Sequence, residues 1–429
     1  MARTLKERID SLIEERQQRL IYFCAQLVNV PSVTGEEGPA QEVVRDLMES
    51  VGLSVDLWEP DDEAMRQSKL FSETGETFKG RPVVAGTYNG KGTGRSLLIN
   101  CHIDVVTEQP LEKWDTDPFN CVHREGRLFG RGTCDMKGGL ASALFSFEIL
   151  QELGLDLKGK LSILSVPSEE NGGNGTVASI LRGYTDYDAA IYPEPTSNKI
   201  QPAHRGAAFW RIHIQGKAAH GGAKYRGVSA VEKGMLIARR LEELEAYRNE
   251  TICKNHPLYQ DYPISAPVTL GIMNGGQFAS GVPELCMLEG CIEYVPGEKS
   301  ADVKEMFEQA VLEVCAKDPW LVEHPPRIEW FGLLYEPAET PVDHPLVQTT
   351  QQCYKEMLGT KAEICGFEAG TDMRLLSNHY GVPGLMFGAG DIMLAHAPNE
   401  NIKVDQLLEH AKVLSLLIAQ WCGVEENKE

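Results

Sequence analysis

The chain contains 429 residues, of which 42% are hydrophobic and 24% are charged, a balance typical of a folded globular protein. This length exceeds what one hydrophobic core usually supports, so we expect two domains. The formal net charge of -21 argues against nucleic acid or an anionic membrane surface as a partner, because both require a basic patch.

The 11 cysteines are widely spaced and form no CxxC pair. This pattern favours a reducing compartment and gives no support for a cysteine-rich structural zinc site. Residues 1–20 are charged throughout and lack the apolar core of a signal peptide. No apolar run approaches the length of a membrane span. The sequence therefore predicts a cytoplasmic protein that does not enter a membrane.

Helices and strands alternate in the first part of the chain. An amphipathic helix is predicted over 3–28 and another over 38–51, after a break at "PSVTGEEG". An Ala- and Leu-rich helix is predicted at 139–154. Strand-like apolar runs lie at 96–106, 159–168 and 187–195. This alternation predicts an α/β layer fold with a largely parallel sheet.

The pattern changes near residue 206. Strand-like segments lie at 207–216, 267–276 and 285–295, and helical segments lie at 227–247 and 299–317. They predict a compact α/β sandwich made of two βαβ-like halves. After about residue 330 the chain returns to short strands and to helices at 344–358 and 404–421. We therefore predict a discontinuous domain of residues 1–205 and 329–429, with residues 206–328 inserted into it.

Two polar side chains end the first buried strand, in "NCHIDVV". His102 and Asp104 are two residues apart, so an extended chain places both on one face. A carboxylate beside an imidazole can fix the tautomer of a metal-bound histidine. The same pair is also typical of an ordinary structural His–Asp contact.

The stretch "LFGRGTCDMKGG" surrounds Asp135 with four glycines just before a predicted helix. Glycine allows close approach of a ligand to the backbone, and a carboxylate in such a turn can bridge two cations. The alternative is an aspartate that caps the following helix.

Further acids and a histidine occur where other predicted strands end or in polar loops. Glu169 and Glu170 end the strand at 159–168, Glu194 lies in "YPEP", and His396 lies in "LAHAPNENI". Together with His102 and Asp135 they make two histidines and four acids. Mixed nitrogen and oxygen ligands without a thiolate suit zinc, cobalt or manganese.

Seven stretches, in this order, resemble a known family: "HIDVV", "GRGTCDMKGG", "SEENGG", "YPEP", "AAHGG", "GTDMR" and "AHAPNE". The chain is identified over nearly its whole length as similar to the metal-dependent aminoacylase and carboxypeptidase family, M20, which includes acetylornithine deacetylase and succinyl-diaminopimelate desuccinylase. The resemblance implies a zinc-peptidase-like three-layer α/β catalytic domain and an inserted α/β sandwich that serves as a lid or dimerisation domain.

The resemblance also implies the roles of individual residues at a site for two divalent ions, zinc first, with cobalt or manganese as alternatives. The implied metal ligands are His102 and Glu194 for one ion, Glu170 and His396 for the other, and Asp135 between them. Asp104 would orient His102, and Glu169 would be the general base. Such ions lie about 3.5–4 Å apart and hold a water that attacks an amide carbonyl.

Three further residues are assigned through the same resemblance. His220 of "AAHGG" would stabilise the oxyanion from the partner subunit of a homodimer. Arg374 of "GTDMR" would bind a substrate carboxylate, or else pair with a surface acid. Desuccinylase-like members of the family often carry an asparagine and an arginine where this chain has Ser280 and Tyr294. Loss of the arginine weakens the case for a succinyl substrate, and Tyr294 would either stack on the substrate or simply pack.

The predicted function is therefore hydrolysis of the N-acyl amide of a small molecule, with an N-acetyl amino acid, as in acetylornithine deacetylase, as the default substrate. The long polar stretch 59–82 resembles that of bacterial N-formyl-aminopyrimidine deformylases of thiamine salvage, which makes such a deformylase the main alternative. A dipeptidase or aminopeptidase on the same fold is a second alternative. A catalytically inactive binding protein is a third, and the complete set of ligands and base argues against it.

Overall fold

The computed structural model describes residues 3–426. Within them the chain forms two compact units. The first runs up to Ala203 and also comprises Glu339–Phe367 and the chain from Thr371 onwards, and the second comprises His204–Ala338 and Glu368–Gly370. The predicted boundary at residue 328 differs from this division, because it cuts through the strand Arg327–Tyr335, all of which belongs to the second unit.

The helices are given first, in chain order. They are α1 (Leu5–Val28), α2 (Gly38–Ser50), α3 (Asp62–Gln67), α4 (Gly138–Glu152), α5 (Asn174–Arg182), α6 (Ala230–Thr251), α7 (Ser300–Cys315), α8 (Pro319–Glu323), α9 (Pro345–Leu358), α10 (Met373–Tyr380) and α11 (Val404–Cys422). Among residues 3–426, none of the helices has the length and hydropathy needed to cross a membrane.

Short strands connect these helices. They are β1 (Ser54–Trp58), β2 (Val83–Tyr88), β3 (Leu97–His102), β4 (Val122–Arg124), β5 (Arg127–Phe129), β6 (Leu155–Leu157), β7 (Leu161–Val166), β8 (Ala190–Tyr192), β9 (Ile200–His204), β10 (Gly206–Gln215), β11 (Ala219–His220), β12 (Val268–Gly275), β13 (Gly281–Val282), β14 (Leu285–Tyr294), β15 (Arg327–Tyr335), β16 (Ala338–Glu339), β17 (Ile364–Phe367), β18 (Gly384–Met386), β19 (Asn401–Lys403) and β20 (Val424–Glu426).

The first unit is built on a mixed sheet with strand order β1-β2-β7-β3-β8-β18-β9-β16, with β17 beside β9. The central strands β7, β3, β8 and β18 are parallel. The pairs β1–β2, β2–β7 and β18–β9 are antiparallel. The sheet is therefore parallel only at its centre, whereas the sequence predicted a largely parallel one.

Helices α1, α4 and α11 pack against one another beside this sheet. Nearly every residue of α4 is buried, including Leu140, Leu144 and Phe147. A helix that is apolar on all sides is typical of the interior of a large domain. Helix α1 is amphipathic instead. It begins at a capping box in which Thr4 and Glu7 satisfy each other's backbone N–H groups.

The second unit contains an antiparallel sheet with strand order β12-β14-β10-β15. Helices α6 and α7 pack together and contact its strands. In the core, the rings of Trp210 and Phe307 lie 5.0 Å apart between centroids. The chain order is βαββαβ. The predicted α/β sandwich is thus present in an antiparallel form, because β12 and β14 are adjacent in sequence and in the sheet.

Candidate active site

Polar side chains lie where the parallel strands of the first unit end. His102 is the last residue of β3, and Glu194 follows the end of β8. Glu169 and Glu170 follow β7, and His396 lies in the segment after β18. The carboxyl ends of parallel strands meet at one edge of a sheet, where open α/β sheets bind ligands. The side chains that the sequence grouped by chemistry therefore come from adjacent strand ends.

Asp135 lies between the two histidines. Its Oδ1 atom is 3.1 Å from Nε2 of His102, and its Oδ2 atom is 3.3 Å from Nε2 of His396. Each oxygen of one carboxylate therefore faces a different imidazole. This arrangement suits a carboxylate shared by two cations, as in two-metal hydrolytic sites.

Each histidine also has a second carboxylate beside it. Nε2 of His396 lies 3.0 Å from Oε2 of Glu170, and Nε2 of His102 lies 3.9 Å from Oε2 of Glu194. Ligand atoms of His102, Asp135 and Glu170 all lie within 4.8 Å of one another. The cluster thus divides into two groups that share Asp135. Its donors are nitrogen and oxygen atoms, which fits zinc, cobalt or manganese.

The backbone determines which nitrogen of His102 faces the cluster. Nδ1 of His102 donates a hydrogen bond of 2.8 Å to the main-chain carbonyl oxygen of Asp104, whereas the Asp104 carboxylate is 3.7 Å away. In the neutral ring Nε2 then carries the lone pair and faces Asp135. The hydrogen bond to His102 thus involves the main chain of Asp104, and orientation of His102 by the Asp104 side chain stays a prediction.

The carboxylate of Asp104 instead holds the backbone that carries the two glutamates. Its Oδ1 accepts a 3.0 Å hydrogen bond from the N–H of Glu169, and its Oδ2 accepts one of 3.2 Å from the N–H of Glu170. The hydroxyl of Thr34 donates to the same Oδ2 at 3.0 Å. Asp104 is fully buried, so these bonds satisfy a carboxylate that water does not reach.

Residues 168–174, hereafter the glutamate turn, are closed by their own backbone. The N–H of Gly173 donates to the carbonyl of Ser168 at 2.8 Å. Gly173 has φ of 76°, and a Cβ at this residue would lie 2.0 Å from Oδ1 of Asp372. Glycine is therefore required both by the left-handed backbone and by the contact with Asp372.

Arg374 and Asp372, from the "GTDMR" motif, contact this turn from one side. The guanidinium of Arg374 donates to the carbonyl of Gly172 at 3.0 Å and to Oδ1 of Asp372 at 3.3 Å. The hydroxyl of Thr176 donates to Oδ2 of Asp372 at 2.6 Å. Arg374 thus contributes to the scaffold of the turn, and its contact with a substrate carboxylate stays a prediction.

Glu400 supports Asp135, and the sequence prediction assigned it no role. Its Oε1 accepts hydrogen bonds from the N–H groups of Cys134 and Asp135, at 2.9 and 3.1 Å. Its Oε2 accepts one of 2.8 Å from Arg131. Glu400 and Arg131 are each 1% exposed. The available signal was the position of this acid in the same "AHAPNE" stretch as His396.

The ionisation of the cluster reflects its crowded acids. Burial, reinforced by the charge of Asp372, raises the pKa of Glu169 well above its usual value. Burial likewise raises the pKa of Glu194 to about 8, with the neighbouring acids adding to the shift. Hydrogen bonds with Asp135 and Glu170 raise the pKa of His396 to about 10. So many buried acids at one site favour a bound positive charge, of the kind that a divalent cation would supply.

Two predicted site residues lie in the second unit. His220 belongs to the short strand β11, is exposed, and accepts a 3.1 Å hydrogen bond at Nδ1 from the N–H of Gly222. Tyr294 is fully buried in the core of the unit, and its hydroxyl donates to the carbonyl of Tyr335 at 2.8 Å. The prediction of a substrate contact at Tyr294 is therefore replaced by the packing alternative. The carbonyl oxygen of Ser280 accepts a 2.7 Å hydrogen bond from the N–H of Gly221.

Comparison with known proteins identifies relatives over most of the chain. Residues 98–420 match the profile of the Peptidase family M20/M25/M40. The chain is 28% identical over 437 residues to N-formyl-4-amino-5-aminomethyl-2-methylpyrimidine deformylase of Halalkalibacterium halodurans, covering 96% of this chain and 97% of that protein. It is 30% identical over 362 residues to acetylornithine deacetylase of Proteus mirabilis, covering 81% of this chain and 86% of that protein.

A solved structure shares the fold. The YxeP protein of Bacillus subtilis, described as a dinuclear metal binding peptidase, superposes with a TM-score of 0.64 at 16% identity. The superposition covers 95% of this chain and 99% of that one. The α/β architecture predicted from the sequence is thus confirmed.

Proposed function

The chain belongs to peptidase family M20/M25/M40, and on that premise we propose that it is a two-metal amidohydrolase that removes an acyl group from the nitrogen of a small molecule. The observation that carries this proposal is Asp135, whose two carboxylate oxygens face two different histidines. The relatives named above act on formyl and acetyl amides, so hydrolysis of a linear amide bond is the reaction that site and family have in common.

His102 and Glu194 would hold one ion, and Glu170 and His396 the other, with Asp135 between them. Zinc is the first choice, because imidazole and carboxylate are its usual ligands at hydrolytic sites, and cobalt or manganese would suit the same donors. When bound, the two ions supply a water of lowered pKa and polarise the carbonyl of the amide.

Glu169 would move the proton in the reaction. Its carboxylate accepts a proton from the attacking water and later passes it to the leaving nitrogen. Glu169 suits this task because the Asp104 carboxylate and the closed glutamate turn fix its backbone. Burial also raises the pKa of Glu169, which is the direction that favours uptake of a proton.

For the substrate, we propose first a heteroaromatic ring whose aminomethyl group carries an N-formyl group. An N-acetyl amino acid is the second candidate. The similarity to the deformylase spans nearly all of both proteins. The acetylornithine deacetylase is slightly more identical but matches a smaller share of this chain. Arg374 favours the second substrate only if its guanidinium can leave Gly172 and Asp372 for a substrate carboxylate.

We further propose a homodimer in which His220 completes the active site of the partner subunit. Two features of the second unit support it. His220 is exposed, so it is available to another molecule. The edge strand β12 carries exposed apolar side chains, among them Leu270, Ile272 and Met273. An apolar edge strand without a neighbour is a common site of pairing between chains.

The cellular location we propose is the cytoplasm. All 11 cysteines of the chain are free of disulfide bonds, and nine of them are buried. Free buried thiols without any disulfide are typical of proteins in reducing compartments.

The test is a hydrolysis screen with metal-depleted protein to which zinc, cobalt or manganese has been added back. The panel contains an N-formyl-aminomethylpyrimidine, N-acetyl-ornithine and other N-acetyl amino acids, N-succinyl-diaminopimelate, and several dipeptides. We expect metal-dependent release of formate from the pyrimidine. Hydrolysis of acetyl amino acids alone would support the second substrate, and hydrolysis of dipeptides alone would identify a peptidase. No hydrolysis with two ions bound would contradict the proposal.

A further inference from the structure

The polar stretch 59–82, which the sequence marked only as an irregular insertion, lies against the glutamate turn. We call residues 59–82 the insert segment. It contains the short helix α3 and otherwise irregular chain that ends where β2 begins. Its second half makes side-chain contacts with four of the seven residues of the turn, as the following bonds describe.

The first group of contacts is centred on Ser72. Its backbone N–H donates to Oδ1 of Asn174 at 2.9 Å, and its carbonyl accepts from Nδ2 of Asn174 at 2.8 Å. Its hydroxyl donates to the carbonyl of Gly172 at 3.1 Å. That carbonyl also accepts from Arg374, so Ser72 and Arg374 hold the same peptide group.

The second group is centred on Glu76 and Arg81. Oε1 of Glu76 accepts a 2.6 Å hydrogen bond from Nδ2 of Asn171, and Oε2 accepts one of 3.0 Å from Arg81. Arg81 forms a two-bond ion pair with Glu37, at 2.6 Å for each bond. The same guanidinium donates to the hydroxyl of Ser168 at 2.5 Å. Ser168 precedes Glu169 directly and has a left-handed backbone, with φ of 62°.

Hydrogen bonds within the insert segment also hold its two ends together. The N–H of Phe78 donates to Asp62 at 2.8 Å, and the N–H of Gly80 donates to Glu59 at 2.6 Å. The side chains of Met65 and Phe78 are 1% and 2% exposed. The segment is therefore an ordered support and differs from a solvated loop in having its own buried side chains.

We propose that the insert segment is a positioning element for the general base, and that Arg81 is its principal positioning residue, acting on Glu169 through Ser168. The proposal rests on the proposed hydrolytic function. Arg81 is 4% exposed and Glu37 is fully buried, so their two-bond pair holds the guanidinium in one place. A left-handed serine is strained and adopts that backbone only where its surroundings impose it, and Arg81 supplies the contact to its side chain.

This role has a defined effect on catalysis. Removing Arg81 allows the backbone of Glu169 to shift, whereas the side chain of Glu170 keeps its own contact with His396. Small displacements of a catalytic group lower the rate of the chemical step by about 10- to 100-fold. We therefore expect Arg81→Met to lower kcat by that factor, with the KM and the bound zinc at wild-type values. Arg81→Lys keeps the charge but loses the two-bond geometry, so its kcat should lie between the two.

The matched control is Arg66→Met in the same segment. Arg66 also pairs with a carboxylate, Glu73, but both side chains are largely exposed. We expect wild-type kcat for this variant. Arg81→Met leaves Glu37 buried and unpaired and can fail to fold for that reason alone. The double variant Glu37→Gln with Arg81→Met removes both charges, and it should fold while still showing the lowered kcat.

A measurement independent of activity is amide hydrogen exchange in a peptide that covers the glutamate turn. In the wild type, the N–H groups of Glu169, Glu170 and Gly173 are all hydrogen-bonded. We expect faster exchange of this peptide in the double variant than in the wild type, and no change in Arg66→Met. Wild-type exchange and wild-type kcat in the double variant would overturn the proposal.

The two proposals can fail separately. If the wild-type protein hydrolyses no amide while the double variant exchanges faster at the turn, the proposed reaction is wrong and the insert segment still holds the turn. If the wild type hydrolyses the substrate and the double variant matches it in kcat and exchange, the reaction stands and the role of Arg81 is overturned.

Discussion

At the scale of the residue, the adjacent acids Glu169 and Glu170 have different surroundings although they share one turn. Glu170 lies 3.0 Å from Nε2 of His396. The pKa of Glu169, by contrast, is raised by burial and by the charge of Asp372. Both backbone N–H groups bond to the one carboxylate of Asp104. A single buried acid thus fixes the start of both side chains, and their different environments suit the proposed roles of Glu170 as a ligand and Glu169 as a base.

This separation predicts opposite effects for two matched substitutions. Glu169→Gln should keep both metal ions and lose turnover by about 10²–10⁴-fold, because an amide cannot accept the proton from water. Glu170→Gln should bind less metal, because a neutral amide is a weaker ligand than a carboxylate. Metal content by mass spectrometry and kcat under saturating substrate would be compared. Substantial turnover by a fully metallated Glu169→Gln variant would contradict the assignment.

Glu400 gives a prediction about stability. Glu400→Ala leaves the guanidinium of Arg131 buried without its carboxylate and leaves the N–H groups of Cys134 and Asp135 without acceptors. We expect the free energy of unfolding of the metal-free protein to fall by about 3–5 kcal/mol. Urea titration measures it.

The control for Glu400 is Glu363→Ala. Glu363 pairs with Lys199 at 3.0 Å, and both side chains are exposed, at 59% and 39%. Exposed pairs contribute about 1 kcal/mol or less. Equal losses in the two variants would show that the buried position of Glu400 has no special importance.

At the scale of the element, the sequence predicted helices better than sheet geometry. The predicted helix 38–51 corresponds to α2, and the predicted helix 344–358 corresponds to α9. Their apolar residues recur with the helical period, which depends only on neighbouring residues. Strand direction depends on distant partners: β7 pairs with both the parallel β3 and the antiparallel β2. The mixed sheet was for that reason not evident from local pattern.

The candidate site also has features that the sequence predicted and features that it did not. The residue types of the ligands were readable because their chemistry is specific to metal sites. The contacts of Tyr294 were not, because a tyrosine near the end of a strand can face a pocket or a core with equal ease. The roles of Glu400 and Arg81 were also hidden, since each acts through residues more than 80 positions away in the chain, as the Ser168 contact shows for Arg81.

The junction of α4 with β8 gives a prediction about packing. Gly139 lies in the first turn of α4, and a Cβ there would be 2.2 Å from the carbonyl oxygen of Pro193, next to Glu194. Gly139→Ala must therefore displace the backbone that carries Glu194. We expect a loss of about 1–3 kcal/mol in stability, together with weaker metal binding.

The control for Gly139→Ala is Gly271→Ala in β12. A Cβ at Gly271 would have its nearest neighbour, the carbonyl oxygen of Glu289, at 3.9 Å. This is an ordinary contact distance, and β12 lies in the second unit, so metal affinity should stay at the wild-type value. Calorimetric titration with zinc compares the two variants. Wild-type zinc affinity in Gly139→Ala would show that Glu194 tolerates the displacement.

At the scale of the whole molecule, the two units carry different parts of the proposed chemistry. The first contains the cluster of candidate metal ligands and Glu169, and the second contains His220. The edge strand β12 of the second unit exposes apolar residues that a second copy would cover. If His220 acts in the partner's site, a dimer whose two subunits carry different defects can keep one intact active site.

This division can be tested by mixing two inactive proteins. His220→Ala lacks the oxyanion donor but keeps Glu169, and Glu169→Ala has the reverse defect. In a mixed dimer one site carries both defects and the other carries neither, so equimolar subunit exchange should restore about a quarter of wild-type activity per total protein, because half of the dimers are mixed and each has one intact site. Exchange is measured by native mass spectrometry of differently tagged chains. If mixed dimers form and activity stays at the level of the separate variants, His220 does not act across the interface, and the exposed histidine must serve its own subunit or none.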